Sequence, residues 1–279
     1  MATALDRGPT PSADSPLGVF LGGAGFAPLA LLLILVAVAA VAWGLVVWLG
    51  VGMSSAMLVA SVSTLGGFAG FLAVWLVMMV AMMFPAAAPM VQAYAVLSAR
   101  GATGGPTRSA LTGTFLLTYT AVWTSIGALT AAAYLLLVPR LSTLAGTGTL
   151  GVTLAGAVLI AAGIYQTTPL KQTCLRGCRT PLSFLLTDWR PGFRGAMRLG
   201  WRHASYCVGC CWLLFAVLFA VGLMALPWMA LIALMVFVEK AIPGRAGFRT
   251  SALLGGALAV VGVAFLVFPG WGAWALGLS

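Results

Sequence analysis

The stretch WLVMMVAMMFPAAAPMVQAY, residues 75–94, decides the fold class because it is long, apolar and free of charge. It belongs to a charge-free segment that extends from Asp14 to Arg100. A helix needs about 20 predominantly apolar residues to cross the hydrocarbon core of a bilayer. The stretch therefore predicts a transmembrane helix.

The same pattern recurs along the rest of the chain. Of its 279 residues, 62% are hydrophobic and only 6% are charged, whereas soluble domains carry about 25% charged residues. Further charge-free segments cover residues 109–139, 141–170, 203–238 and 250–279. Each is long enough to span a bilayer as a helix. We therefore predict an all-α polytopic membrane protein, built as a bundle of about seven transmembrane helices.

Glycine, proline and basic residues divide the apolar runs into candidate spans. The seven predicted spans lie near residues 27–49, 69–97, 109–137, 149–169, 204–224, 226–241 and 250–268. The fifth and sixth are separated because residues 207–238 as one helix would extend about 48 Å, well beyond the hydrocarbon thickness. The sequence GLMALPWM, with Gly222 and Pro227, offers a place for the reversal.

Outside the spans, two segments are predicted to lie in the cytoplasm. Residues 1–25 are expected to form a disordered cytoplasmic tail, with a single transmembrane helical domain over residues 26–279. Within that domain, residues 170–203 are predicted to form a cytoplasmic loop rich in cysteine and arginine. The sequence sets no oligomeric state.

The distribution of basic residues tests the span count and gives an orientation. With seven spans, 13 of the 14 Lys and Arg residues lie on the side of the N-terminus, and the other side holds Arg140 alone. Because cytoplasmic loops carry an excess of Lys and Arg, we expect a cytoplasmic N-terminus in a bacterial plasma membrane. The net charge of +10 then sets topology and meets anionic lipid headgroups, and it is no evidence for nucleic-acid binding.

The cysteines are the strongest candidates for a metal site. All five lie in two short segments, KQTCLRGCR and HASYCVGCCW, which the predicted topology places at the cytoplasmic surface, where thiols stay reduced. Cys174 and Cys178 share one face if their segment is helical. The C-x-x-C motif is expected to open the fifth span, and a helix N-terminus favours thiolates. The candidate ligands in these segments are Cys174, Cys178, Cys207, Cys210, Cys211 and His203.

Three interpretations of the cysteines remain open. The first is a closed structural zinc site that pins the 170–203 loop, formed by Cys174, Cys178, Cys207 and Cys210. The second is unliganded cysteine packed as a small hydrophobe. The third is a copper(I) site, which the combination of thiolate and thioether ligands favours over zinc.

Methionines supply the thioether part of that argument. The stretch at residues 75–94 contains five of them together with two prolines, Pro85 and Pro89. Prolines free backbone carbonyls, which a membrane helix tolerates where neighbouring helices or a cavity cover them. This half of the helix is therefore expected to face the bundle. A methionine stripe is more often adaptable packing than a ligand set, but Met78, Met82 and Met83 are candidate ligands.

Glu239 is the one acidic residue in or beside a predicted span, and Lys240 follows it. Acidic residues at such positions usually mark a functional site or pair with a neighbour. Glu239 is therefore interpreted as a topology anchor, as a counter-charge to the arginines of the 170–203 loop, or as a further metal ligand.

Small residues at four-residue spacing predict where helices pack closely. The spacing is present at Gly66 and Gly70, and again at Ser251, Gly255 and Ala259. In membranes such small-xxx-small patterns allow helix backbones to approach one another.

Three blocks of this chain resemble a bacterial family of predicted metal-binding integral membrane proteins. They are WLVMMVAMMFPAAAPMVQAY, YQTTPLKQTCLRGCRTPLSF and CVGCCWLLFAVLFAVGLMALPWMALIALMVFVEK, and the resemblance covers residues 70–265. It implies metal binding without specifying a reaction. The matching motif positions are Trp75, Met78, Met82, Met83, Pro85, Pro89, Tyr94, Tyr165, Gln166, Pro169, Lys171, Cys174, Cys178, Cys207, Cys210, Cys211, Glu239 and Lys240.

These observations predict a membrane protein that handles Cu(I). The five cysteines would exchange the ion at the cytoplasmic face, and the methionines would form a weaker site deeper in the bundle. The ion would then be transported, or delivered to a metallochaperone or copper-enzyme partner. The alternative is a zinc-stapled membrane scaffold or partner-binding subunit.

Other function classes have less support. A thiol-redox relay would need a redox partner on the outer face, where the predicted topology places no cysteine. An enzymatic role is not expected, because the chain has a single histidine and no aspartate in a span to orient it. No nucleotide-binding motif is present either.

Overall fold

The computed structural model describes residues 26–52, 61–101, 105–144, 149–222, 224–242 and 244–276. Apart from the 3-10 turn Ser61–Ser63, the elements of this described part are all α-helices. In chain order they are α1 (Phe26–Gly52), α2 (Leu65–Gly101), α3 (Gly105–Leu144), α4 (Thr149–Tyr165), α5 (Pro169–Arg179), α6 (Pro181–Asp188), α7 (Gly192–Val221), α8 (Leu226–Ala241), α9 (Gly244–Val267) and α10 (Pro269–Ala275). The predicted tail at residues 1–25 lies outside the described residues.

Five of the described helices, α1, α2, α3, α7 and α9, are long and apolar enough to cross a membrane. The number rises to six if α4 and α5, which meet at a bend of 67°, form one broken span. Helix α8 has 16 residues, about 24 Å of helix, which is shorter than the roughly 30 Å hydrocarbon core. The helical membrane architecture is confirmed, whereas the count of seven spans is not.

The segment predicted as a loop at residues 170–203 is helical over most of its length. Helices α5 and α6 each begin with a proline, and the Thr168 side chain caps α5 by accepting from the Lys171 backbone N–H. Proline suits the first turn of a helix because its missing N–H would be unpaired there. Helix α5 is amphipathic: Lys171, Leu175 and Cys178 are buried, while Arg176 is exposed. Its arginines made this segment look like a loop.

Helix α7 also begins earlier than predicted, at Gly192 instead of near residue 204. Cys207 therefore lies in the middle of α7, and the expectation that the C-x-x-C motif sits at a helix N-terminus is wrong. The predicted break after this helix is confirmed. Helix α7 ends at Val221, and Gly222 adopts a φ of 109° before α8 begins at Leu226. Glycine reaches such positive φ values without steric penalty.

Helix α2 occupies the centre of the bundle and packs against α1, α3, α6 and α8. Its two prolines lie inside the helix. The expected orientation of its methionines toward the bundle is confirmed, because all five are buried. Trp75, on the same helix, donates from Nε1 to the Trp123 carbonyl of α3 at 2.8 Å. These contacts bury much of α2 between residues 71 and 98, whereas its first turns at residues 65–70 are largely exposed.

Helices α4 and α9 pack closely through glycines on both helices. A Cβ atom added to Gly163 would lie 2.5 Å from the Gly255 carbonyl oxygen, and one added to Gly262 would lie 2.6 Å from the Gly156 carbonyl oxygen. The predicted close packing at Gly255 is therefore confirmed. Among the described residues the same expectation does not hold for Gly66 and Gly70, because a Cβ atom at either position would meet no described atom within 4 Å.

This contrast gives a test of the helix packing. Gly163→Ala is expected to lower the stability by about 1–3 kcal/mol, since the added methyl group must push two backbones apart. Gly66→Ala is the matched control, and its stability should equal or slightly exceed that of the wild type because alanine favours helix. Thermal unfolding in detergent, monitored by size-exclusion chromatography, measures the stability of both variants. Equal unfolding temperatures for the two variants would contradict the glycine contact.

Candidate metal centre

Cys207 is the centre of a buried polar site. Its side chain is fully buried in α7, and its Sγ lies 3.1 Å from the Tyr119 hydroxyl of α3 and 3.1 Å from the Lys240 Nζ of α8. One thiol thus joins three helices. Tyr119 carries no motif signal in the sequence, whereas Lys240 follows the acidic residue that was singled out as a site candidate.

Three more thiols surround Cys207. Cys210 and Cys211 both donate to the Cys207 carbonyl oxygen, at 3.1 and 2.6 Å, and their Sγ atoms are 3.9 Å apart. Cys178 reaches across from α5, and its thiol interacts with those of Cys207 and Cys210. All four side chains are buried and none forms a disulfide. We call Cys178, Cys207, Cys210 and Cys211 the thiol cluster.

Cys174 is placed differently from the other four cysteines. It is half-buried, and a Cβ atom added to Gly209 of α7 would lie 2.7 Å from its Sγ. A similar contact involves Gly177 of α5, where an added Cβ atom would lie 3.1 Å from the Tyr206 ring of α7. These two glycines let α5 approach α7 closely. Cys174 thus packs at the contact between the helices and belongs to the edge of the site.

A buried ion pair holds α5 against α8. Lys171 Nζ donates to the Glu239 carboxylate at 2.7 Å, and both side chains are almost fully buried. Lys171 also donates to Gln166 Oε1, and Arg179 donates from Nε to the Glu239 carbonyl oxygen at 2.6 Å. Glu239 thus binds a lysine of the 170–203 segment through its carboxylate and an arginine through its backbone. In the described residues the carboxylate contacts Lys171 and not the thiols.

His203 lies one helical turn before Cys207 but within an aromatic environment. Its ring stacks on Tyr119 and Phe115, with ring centroids 5.4 and 6.0 Å away, and Phe184 meets it edge-on. Both ring nitrogens are buried and have no hydrogen-bond partner in the described part of the chain. His203 therefore borders the thiol cluster through the Tyr119 ring.

A cavity of about 240 Å³ connects the thiol cluster to the proline-containing part of α2. It is lined by Cys178, Lys240 and the α2 residues Pro85, Ala86 and Pro89, among others. The structure thus brings Cys178 and Lys240 next to the proline-containing part of α2, and none of the described methionines lines the cavity. Across the described ranges, no three His, Cys, Asp or Glu side chains are already arranged to hold a metal ion.

The match to a family model identifies the class of metal protein. A model described as "PpoB2: Copper chaperone" covers residues 72–265, from α2 to α9. The chain belongs to this copper chaperone family. The matched residues include all five cysteines, Tyr119, Lys240 and the methionines of α2. No curated protein and no solved structure matches the chain.

Membership of the copper chaperone family agrees with the chemistry of the side chains. Thiolate and thioether groups are soft ligands that select Cu(I), whereas carboxylates and carbonyls suit harder ions. The thiol cluster offers four sulfurs within a buried region, and the one nearby carboxylate, Glu239, is engaged by Lys171. The donor set therefore fits copper.

The two charges of the ion pair are expected to depend on each other for stability. Lys171→Leu or Glu239→Leu alone should lower the stability by about 3–5 kcal/mol, because each leaves one buried charge without a partner. The double variant should be less affected than either single variant. Thermal unfolding of the three proteins in detergent forms the double-mutant cycle.

Asp188→Asn provides the control for that cycle. Asp188 pairs with Arg202 at a partly exposed position, so its removal should cost less than about 1 kcal/mol. For the Lys171 and Glu239 cycle, a double variant whose loss of stability equals the sum of the two single losses would show that the two residues do not depend on each other.

Proposed function

We propose that this protein binds Cu(I) as cargo at the thiol cluster and delivers it to a copper-requiring partner. The observation that carries the proposal is the meeting of four buried thiols from two helices beside Lys240, in a chain of the copper chaperone family. Cu(I) held by two thiolates carries one net negative charge. Burial of a charge is costly unless it is paired, and Lys240, 3.1 Å from Cys207, supplies the opposite charge.

The cluster is suited to transfer as well as to binding. It contains more sulfurs than a two-coordinate Cu(I) ion uses, so the ion can exchange one thiolate for another without leaving the site. Exchange is the property that a delivery protein needs. The partner would be a metallochaperone or a copper enzyme that accepts the ion by the same kind of thiolate exchange.

The methionines of α2 are proposed as a weaker, deeper site. Met82 lies four residues before Ala86, which lines the cavity next to Cys178. Residues four apart share one face of a helix. Met78 precedes Met82 by the same spacing, and Met83 is fully buried beside them. The thioethers thus continue the line of sulfurs from the cavity along α2.

We further propose that the thiol cluster faces the cytoplasm of a bacterial plasma membrane. If α4 and the short helix α8 both cross the membrane, the five clear spans become seven. The basic residues then lie 13 to 1 on the side of the N-terminus, in accord with the positive-inside rule. This orientation puts α5 and α6 on the cytoplasmic side.

Reporter fusions test the orientation. A phosphatase that is active only outside the cytoplasm should be inactive when fused after residue 190 and active when fused after residue 276, with fluorescent-protein fusions giving the reverse. The opposite pattern at both positions would overturn the orientation while leaving copper binding unaffected.

Elemental analysis of protein purified anaerobically tests the binding site. We expect copper in the wild type, a loss of at least tenfold in bound copper for Cys207→Ser and Cys178→Ser, and near wild-type copper for Cys174→Ser, whose thiol packs against Gly209. Met82→Leu with Met83→Leu should keep the tightly bound copper, because these volume-conserving changes preserve packing. Release of the copper should be slower, because the proposed thioether site is lost.

The same analysis distinguishes the zinc-stapled scaffold. Zinc held at one equivalent whatever the copper supply, and lost from Cys174→Ser as readily as from Cys207→Ser, would contradict the copper proposal. The five-cysteine-to-serine variant sets the background for both metals.

A further inference from the structure

The cavity beside Cys178 has an electrostatic character that points to a particular kind of copper donor. Two charged side chains line it, Arg179 and Lys240, and both are cationic. The remaining lining is apolar apart from Cys178. A soft metal ligand thus lies between two positive charges at the wall of a small cavity.

In the described part of the chain, no carboxylate forms an ion pair with either positive charge. The Arg179 guanidinium donates to two neutral backbone acceptors, the Glu239 and Gly247 carbonyl oxygens. Lys240 donates to the Cys207 thiol. The nearest acidic side chain, Glu239, is itself neutralised by Lys171 at 2.7 Å. The cavity is therefore a positive site that leads to a thiol.

From this geometry we infer that Cu(I) reaches the thiol cluster as a complex with a small carboxylate-bearing thiol, which docks in the cavity between Arg179 and Lys240. This inference rests on the proposed copper function and specifies the donor. The volume of about 240 Å³ lies just below the roughly 300–1,000 Å³ of typical ligand pockets, so the cavity suits a small molecule and not the surface of a protein.

The transfer is a thiolate exchange at copper. The Cys178 thiol forms a Cu–S bond while one Cu–S bond to the carrier breaks, and the Cys178 proton passes to the departing carrier sulfur, which leaves as a free thiol. Copper stays Cu(I), so no oxidant or reductant is consumed. Repetition at Cys207 releases the second carrier thiol and completes the transfer.

The experiment compares two carriers that differ in one group. Cu(I) is presented to the anaerobic, detergent-purified full chain as its complex with N-acetylcysteine or with N-acetylcysteine amide, which lacks the carboxylate. The transfer rate is followed by stopped-flow absorption in the ultraviolet. We expect transfer from the carboxylate carrier to be roughly tenfold faster, as electrostatic steering permits, and the advantage to shrink as salt rises.

Variants of the two cationic residues show whether the cavity is responsible. Arg179→Gln and Lys240→Gln should each reduce the ratio of the two rates toward one, and Arg179→Lys should restore it. Exposed Arg194→Gln is the charge-matched control and should leave the ratio unchanged. Because the ratio is compared, a variant that merely damages the site slows both carriers and does not imitate the expected result.

Two outcomes separate this inference from the function on which it rests. Equal rates from the two carriers at low salt, or a ratio that survives both glutamine substitutions, would overturn the carboxylate-thiol donor while copper binding stands. Failure to take copper from either carrier would overturn the copper function itself.

Discussion

The buried ion pair between Lys171 and Glu239 is the constraint on which the site depends. It fixes α5 against α8 in a region where unpaired charges are costly. The next residue after Glu239 is Lys240, whose Nζ contacts Cys207 on α7. The ion pair, with Lys240 next to it, thus ties α5, α7 and α8 together beside Cys178 and the thiols of α7.

The fold class follows from the sequence because a bilayer imposes simple rules. Charge-free segments of sufficient length must be helices that satisfy their own backbone hydrogen bonds, and the break near Gly222 follows from helix length. The helical nature of α5 was missed because its arginines look like loop residues, although Arg176 lies on the exposed face of an amphipathic helix and Arg179 packs against α8 and α9. The early start of α7 was missed for the same reason, since Arg194 and Arg198 belong to its exposed first turns.

The candidate site could be predicted in its composition but not in its arrangement. The spacing of the cysteines suggested one group of five, yet Cys174 turns toward Gly209 and only Cys178 reaches the thiols of α7. Tyr119 contacts Cys207 from a helix 88 residues away in sequence, and no local pattern reports such a contact. That Glu239 pairs through its carboxylate with Lys171, and not with an arginine of the 170–203 segment, likewise depends on packing that a sequence does not display.

X-ray absorption at the copper K edge tests the central claim most directly, because it reports the atoms bound to copper in the intact protein. For Cu(I)-loaded wild-type protein, the account predicts a shell made of sulfur alone with low coordination number, and no outer-shell pattern from an imidazole. A first shell dominated by nitrogen or oxygen, with the imidazole signature of His203, would contradict binding at the thiol cluster.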